Sequence, residues 1–249
     1  IDEAWEYAIG GEDVVIAVID SGGDLTHPDL KDNIWLNKNE IPDNQEDDDL
    51  NGYADDVYGW NFVENNNNPN PVFENFTTEG VSHGTLVAGI IAARGHNSEG
   101  IAGVTWNSKI MALRALDSRG EGDIENAVRA IRYAADNGAD IINFSFVGSL
   151  STPLFEDAIA YAYKRGAVLV AAVGNDANGA FVQGQSGNLD HAPIYPACFE
   201  TAMNDFVIGV GAVDTNNIKT NFSNFGHTCI DIHAPAVDIV STQVGNSMR

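Results

Sequence analysis

The sequence predicts an α/β fold built on a mostly parallel sheet. Three observations predict it. Continuous β-branched runs recur along the chain and read as strands buried on both faces. Helical patterns fall between those runs. Glycine, asparagine and capping residues mark where the elements start and stop. The first run, Val14 to Ile19, ends at Asp20-Ser21-Gly22, where the chain must turn. Ser82 to Ala93 reads as a helix with His83 at its start, and Ala88, Gly89, Ala92 and Ala93 let it pack closely on its neighbours. Ile110 to Leu116 is the next strand. Asp123 caps a helix whose apolar face is Ile124, Ala127, Val128, Ile131 and Ala135, and Asn137-Gly138 stops it. Asp140 to Phe146 follows as a strand. A helix then runs from Pro153 through Leu154, Ala158, Ile159 and Ala162 to a stop at Gly166. Val168 to Val173 and Phe206 to Val213 complete the strands. In such sheets the working residues sit at the carboxyl ends of strands. That rule directs attention to Asp20, to Ser145 through Gly148, and to Gly174-Asn175.

Composition narrows the classes. The formal charge is −24 over 249 residues, and 44% of them are hydrophobic, which suffices for the core of one domain, or two at most. That apolar share, with its periodicity, excludes disorder, and no apolar run is long enough to cross a bilayer. The acidity argues against nucleic acid or an anionic membrane as a partner, since phosphates need clustered Lys and Arg. Two cysteines exclude a disulfide-dense scaffold and a multi-cysteine zinc site. Residues 1–249 read as a single domain with an acidic insertion at about 37–82, an aperiodic stretch rich in Asn, Asp and Pro. Between Asn39 and Ala93 there is no Lys or Arg but there are eleven acidic residues, which marks a solvated loop or a hard-cation site. The opening at Ile1 lacks a signal-peptide pattern, which fits a cytosolic protein or a trimmed mature product.

Asp20 alone reads as structural as readily as catalytic, and a lone His83 as a surface or core residue. Together they are two thirds of a nucleophilic triad, because a buried carboxylate fixes the imidazole tautomer and stabilises the imidazolium. Asn175 can offer its side-chain amide to a developing oxyanion, or serve only as a turn residue with positive φ.

On these residues the chain resembles the subtilisin-like serine proteases. Asp20-Ser21-Gly22 followed by Thr26-His27-Pro28-Asp29-Leu30 is similar to the family's Asp motif, and His83-Gly84-Thr85-Leu86-Val87-Ala88-Gly89 to its His motif. Ile141 to Ser145 matches the substrate-strand region and Ala171 to Asn175 the oxyanion region. Phe222 to Gly226, then Ala234-Pro235, matches the approach to the nucleophile. The matches keep the family's order and cover nearly the whole chain. The resemblance implies a three-layer α/β domain whose C-terminal part is missing from this chain. It also implies a secreted or extracellular endopeptidase acting on polypeptide through an acyl-enzyme intermediate. Asp20 would orient His83, His83 would act as base and then acid, and Asn175 would hold the oxyanion. Ser145, Phe146, Val147 and Gly148 would pair with the substrate backbone as an added strand, with Leu116 to Gly122, Leu116 and Gly120 among them, as the opposite edge. Phe146 and Val147 replace smaller residues usual in the family and narrow the cleft.

The nucleophile is the main departure. The family places a Gly-Thr-Ser-Met segment, opening a buried helix, well after the Ala-Pro, whereas only fourteen residues follow Pro235 here. Gly245-Asn246-Ser247-Met248 mimics that segment, but Ser247 comes only twelve residues after Pro235. The expectation is therefore a serine on a second C-terminal chain or fragment, a cleavage point at Arg249, and no activity in this chain alone. A propeptide or an inhibitor is a further expected partner. The competing reading is a catalytically inactive relative that binds peptides or an inhibitor; retention of Asp20, His83 and Asn175 argues against it.

Asp47 to Asp56 resembles the first half of a calcium loop, with oxygen donors at alternate positions and a glycine at the turn. Asp47, Asp49, Asn51, the Tyr53 carbonyl and Asp56 form the expected Ca2+ site, as in related proteases with similar acidic insertions. The resemblance implies a second site from Asp29 and Asn97, with carbonyls from Arg94 to Ile101 and an acid near the N-terminus such as Asp2. It also puts Cys198 and Cys229 near one end of the same half of the fold, as a disulfide or as two free thiols. Of the Asn-x-Ser/Thr triplets at Asn75, Asn143 and Asn221, the one at Asn143 lies on a core strand and reads as chance.

Overall fold

A computed structural model describes residues 1–177, 187–201, 204–245 and 247–248. Seven strands form a mostly parallel sheet flanked by helices, the expected three-layer α/β class. The chain divides into two compact units, Ile1–Ile142 with Val240–Arg249, and Asn143–Ile239. The first carries α1 (Asp2–Trp5), β1 (Val15–Asp20), a 3-10 turn (Lys31–Asn33), β2 (Gly59–Asn61), α2 (Thr78–Ala92), β3 (Lys109–Arg114), α3 (Ile124–Asp136) and the start of β4 (Ile141–Phe144). The second holds the rest of β4, then α4 (Pro153–Lys164), β5 (Val168–Ala172), β6 (Glu200–Thr201), β7 (Asn204–Asp205), β8 (Val207–Val213) and β9 (Ile232–Pro235). A short hairpin of β10 (Thr242–Gln243) and β11 (Ser247–Met248) belongs to the first unit again.

In the first unit β2, β3 and β1 run parallel in that order, with Val15 opposite Lys109 and Asp20 opposite Arg114. Ile16, Val18 and Ile110 pack with Ala88 and Ala92 of α2 and with Leu30 and Ile34. The intervening Ala17, Ile19, Met111 and Leu113 are also buried and turn to the other face, where α3 packs, with its Ala127, Ile131 and Ala134 buried. Cover on both faces is why these strands read as unbroken apolar runs.

In the second unit β5, β8 and β9 run parallel, with Leu169 opposite Val207 and Val210 opposite Ile232. One face, including Leu169, Ala171 and Val207, is buried, and α4 packs on β5. The other face is different: Val170, Ala172, Val210 and Ala212 are only half-buried, and Val168, Ile208 and Ile232 are exposed. A disulfide joins Cys198 to Cys229 across 31 residues.

Several elements differ from the sequence reading, among them α1, β6, β7, β10 and β11, each too short to carry a period. α2 begins five residues before His83, because Thr77 caps it by accepting a hydrogen bond from the Gly80 N–H at 3.0 Å, so His83 lies in the second turn rather than at the helix start. β2 lies inside the segment read as aperiodic loop, its three residues too few to carry a period. β9 went unread because an edge strand with exposed positions shows no apolar run. No helix among the described residues is long and apolar enough to cross a membrane.

Replacing Thr77 by Ala leaves the Gly80 N–H without its partner and should cost about 1 kcal/mol, read as a lower denaturation midpoint at unchanged denaturant slope.

Candidate active site

The last residue of β1 supplies a carboxylate that is fully buried. Leaving it unpaired there would be costly, and the chain supplies two partners. Asp20 Oδ1 accepts the Ser21 N–H at 2.7 Å, and both carboxylate oxygens lie 2.9 Å from His83 Nδ1. An ionised carboxylate only accepts, so Nδ1 carries the proton and Nε2 is left as the basic nitrogen. The Asp20 hydrogen bond, and then its charge, raise the His83 pKa against the opposing effect of burial.

This pairing requires backbone contact between α2 and the turn after β1. A Cβ at Gly84 would lie 2.2 Å from the Gly22 carbonyl oxygen and 3.1 Å from Asp20 Cβ. Glycine alone fits. Gly84 N–H donates to Ser21 Oγ at 3.3 Å, and Thr85 Oγ1 accepts from Asp24 N–H at 3.0 Å. On another side Ser241 and Thr242 donate to the Leu86 and Thr85 carbonyls at 2.6 and 2.7 Å, packing so closely that position 89 also admits only glycine.

The expected substrate edge in the first unit is a tight loop. Leu116 bridges Gly122, Asp117 N–H bonds Glu121 O at 2.7 Å, and Gly120 takes φ 80°. Behind it Arg114, 2% exposed, donates to Asn61 and Glu64 at 3.1 Å and to Ser118 at 3.3 Å. Sequence reading missed this strap; an arginine closing an apolar strand was the available signal.

In the second unit Ser145 Oγ accepts from Asn143 Nδ2 at 2.9 Å, the Phe146 ring stands edge-on to Phe144 at 5.8 Å, and Val147 and Gly148 are exposed. Asn175 is exposed at the carboxyl end of β5, after Gly174 at φ 82°. Asn224 braces that turn. Its N–H donates to Gly174 O at 3.1 Å and its Oδ1 accepts the Asp176 N–H at 2.9 Å. The sequence reading placed Asn224 only in the approach to the nucleophile.

The acidic insertion gathers carboxylates differently from the expected loop. Among the described residues, Glu40, Asp49 and Asp56 bring oxygens within 4.8 Å of one another, a donor set suited to a hard cation. Glu40, which sequence reading missed, joins Asp49 and Asp56 there. It accepts the N–H groups of Asp48, Asp49 and Asp55. Asp56 is buried and accepts from Asn37 at 2.8 Å, Asn51 at 2.9 Å and the Tyr133 hydroxyl at 2.5 Å. Burial raises the pKa of both Glu40 and Asp56, with neighbouring carboxylates adding to the rise. Asp47 instead accepts the Asn51 and Gly52 N–H groups and closes its own turn. The Tyr53 ring packs edge-on to Trp60 and Tyr133, each at 5.0 Å. Elsewhere Asp29, buried, accepts from Asn97 Nδ2 at 2.7 Å and Ile101 N–H at 2.9 Å. Asn246 and Arg249 lie outside the described residues, as do the side chains of Asp2 and Ser247.

A buried carboxylate on Nδ1 leaves the other imidazole nitrogen as a base that could activate a nucleophile. The subtilase family model matches residues 11–248. A thermophilic serine proteinase from Bacillus sp. (strain AK1) is 38% identical over 98% of this chain and 49% of its own length. Thermitase from Thermoactinomyces vulgaris is 35% identical over 96% of this chain and 68% of its own, and subtilisin DY from Bacillus licheniformis 33% over 99% and 73%. This chain belongs to the subtilase family. It spans about half the length of the Bacillus AK1 relative.

With its pKa raised in the folded state, His83 should add stability below its unfolded value of about 6.5, a contribution that fades as pH climbs through the raised value. Asp20→Asn should lower the His83 pKa measured by proton NMR and remove that pH dependence. An unmoved titration would mean that the pair is not coupled.

Proposed function

We propose that this chain is the greater part of the catalytic domain of a secreted, calcium-stabilised serine endopeptidase, with the nucleophilic serine on sequence beyond Arg249. That serine would be joined directly or held on a separate fragment. The observation that carries the reading is the buried Asp20 carboxylate on His83 Nδ1, in a subtilase chain. The half-exposed sheet face seen among the described residues of the second unit supports the placing of the serine. It opens a cavity of about 460 Å3 lined by Val170, Ala172, Val210, Ala212 and Ala234, with Ser145 and Asn175 at its polar side. A contiguous exposed face of aliphatic residues marks a site for an apolar partner, and small side chains there suit the close approach of a helix.

In this mechanism the serine Oγ attacks the scissile carbonyl as His83 Nε2 takes its proton. Asp20 holds the imidazolium that forms. Asn175 donates to the carbonyl oxygen as it becomes negative, a contact worth about 3–4 kcal/mol in the transition state. His83 returns its proton to the leaving amine, and water then hydrolyses the acyl-enzyme by the same route in reverse. Ser145 to Gly148 and Leu116 to Gly122 would bind the peptide as an extended strand, so unfolded segments are the expected substrates. A propeptide or inhibitor would use the same edges.

Ca2+ fits the Glu40, Asp49 and Asp56 oxygens and would offset the repulsion of carboxylates that burial already keeps hard to ionise. Asp29 and Asn97 would hold a second ion. Bound calcium supplies stability, about 2.7 kcal/mol at a hundredfold excess over Kd.

Two experiments test this. In the protein extended past Arg249, a serine-reactive phosphonate should label a residue beyond that point, and His83→Ala should slow labelling by orders of magnitude; labelling at Ser247 would overturn the placing of the nucleophile. Chelation should lower the melting temperature and speed nicking within residues 37–82. An unchanged melting curve would overturn the calcium assignments.

A further inference from the structure

We propose that the Cys198–Cys229 disulfide is a positioning device for the segment Ser145–Gly148 that follows β4, acting through Tyr195. This rests on the reading of that segment as the peptide-binding edge. Gly148 N–H donates to Tyr195 O at 2.8 Å, and Tyr195 N–H donates back to Gly148 O at 2.8 Å, so the two residues close an antiparallel pair. Gly148 and its neighbours Val147 and Ser149 are exposed, and Tyr195 is therefore an anchor for a segment end that otherwise faces solvent.

Tyr195 is itself held from Cys198. The turn is closed by Cys198 N–H on Ile194 O at 2.9 Å and Phe199 N–H on Pro196 O at 3.0 Å. The Tyr195 ring lies 4.6 Å from Phe199, and Phe199 stands edge-on to Phe155 of α4 at 5.0 Å. At the far end of the bond, Cys229 is pressed onto the body of the sheet. A Cβ at Gly209 of β8 would fall 1.9 Å from the Cys229 carbonyl oxygen. Asp231 N–H bonds Gly209 O at 2.9 Å, and Gly209 N–H bonds the Asp231 carboxylate at 2.7 Å. The path thus runs from β8 to the Cys229 segment by backbone contact and hydrogen bonds, across the disulfide to Cys198 and its turn, and by paired hydrogen bonds to Gly148.

The physical consequence concerns ordering. A peptide that binds by adding a strand must find its edge already extended, or spend affinity on ordering it. Holding Gly148 from a fixed strand removes that cost before the peptide arrives. The effect belongs in binding and KM, not in kcat, because nothing in this path touches the reacting atoms.

The test is site-resolved hydrogen exchange on Cys198→Ala/Cys229→Ala, below its melting temperature. Exchange at Gly148 and Tyr195 should accelerate by about tenfold or more relative to the amides of β8, since it reports a local opening. In the protein extended past Arg249, KM for an extended peptide should rise severalfold with kcat unchanged. Unaltered exchange at Gly148 and Tyr195, or acceleration by the same factor throughout the second unit, would overturn the proposal. If exchange changes as expected while neither protein hydrolyses or binds peptide, the positioning stands and the substrate reading of the segment fails. Should the double variant not fold, the unmodified protein decides: Gly148 and Tyr195 should exchange within about threefold of each other as one opening unit. Rates differing by about a hundredfold would contradict it.

Discussion

The chemistry available to the first unit depends on one contact, the hydrogen bond from His83 Nδ1 to the buried Asp20 carboxylate. Asp20 has no exposure, and the imidazole and the Ser21 N–H supply the hydrogen bonds that a carboxylate needs at such a site. The helix that brings the imidazole must touch the turn after β1 at backbone distance, and Gly84 makes that possible. Thr77 starts the helix early enough for His83 to sit inside regular structure, where its ring direction is set by the helix rather than by a fraying end. Ser241 and Thr242 hold the same helix from residues far along the sequence. The geometry is thus determined on three sides before any substrate binds.

The acidic insertion is tied to this arrangement through α3. Tyr133 of α3 donates to Asp56, and its ring packs on Tyr53 and Phe62. Asp123 caps α3 immediately after the Leu116–Gly122 loop, and the Arg114 guanidinium joins that loop to Asn61 and Glu64. Carboxylates, aromatic cluster, helix and loop are therefore one connected structure.

Much of this was legible in the sequence for stated reasons. Unbroken runs such as Val14 to Ile19 exist because both faces of β1 are covered, and the period of Ala127, Val128, Ile131 and Ala135 on α3 exists because one face is buried. Asp20 and His83 could be singled out because strand ends and motif order point to them. Glu40 could not, because folding brings it to Asp49 and Asp56 from outside the loop that carries the spaced oxygens. Trp60 and Ile232 sit in strands too short or too exposed to show a pattern, and Asn224 braces Asn175 across a separation that no local signal spans.

The central claim is that steric permission at Gly84 puts His83 on Asp20. Its most direct test is the proton NMR titration of His83 in Gly84→Ala, with the fold checked by retained α3 and β8 amide protection. The account predicts that the added methyl group, facing a carbonyl 2.2 Å away, displaces the helix and returns the His83 pKa toward its ordinary value of about 6.5. A His83 pKa that stays raised in a folded variant would contradict it.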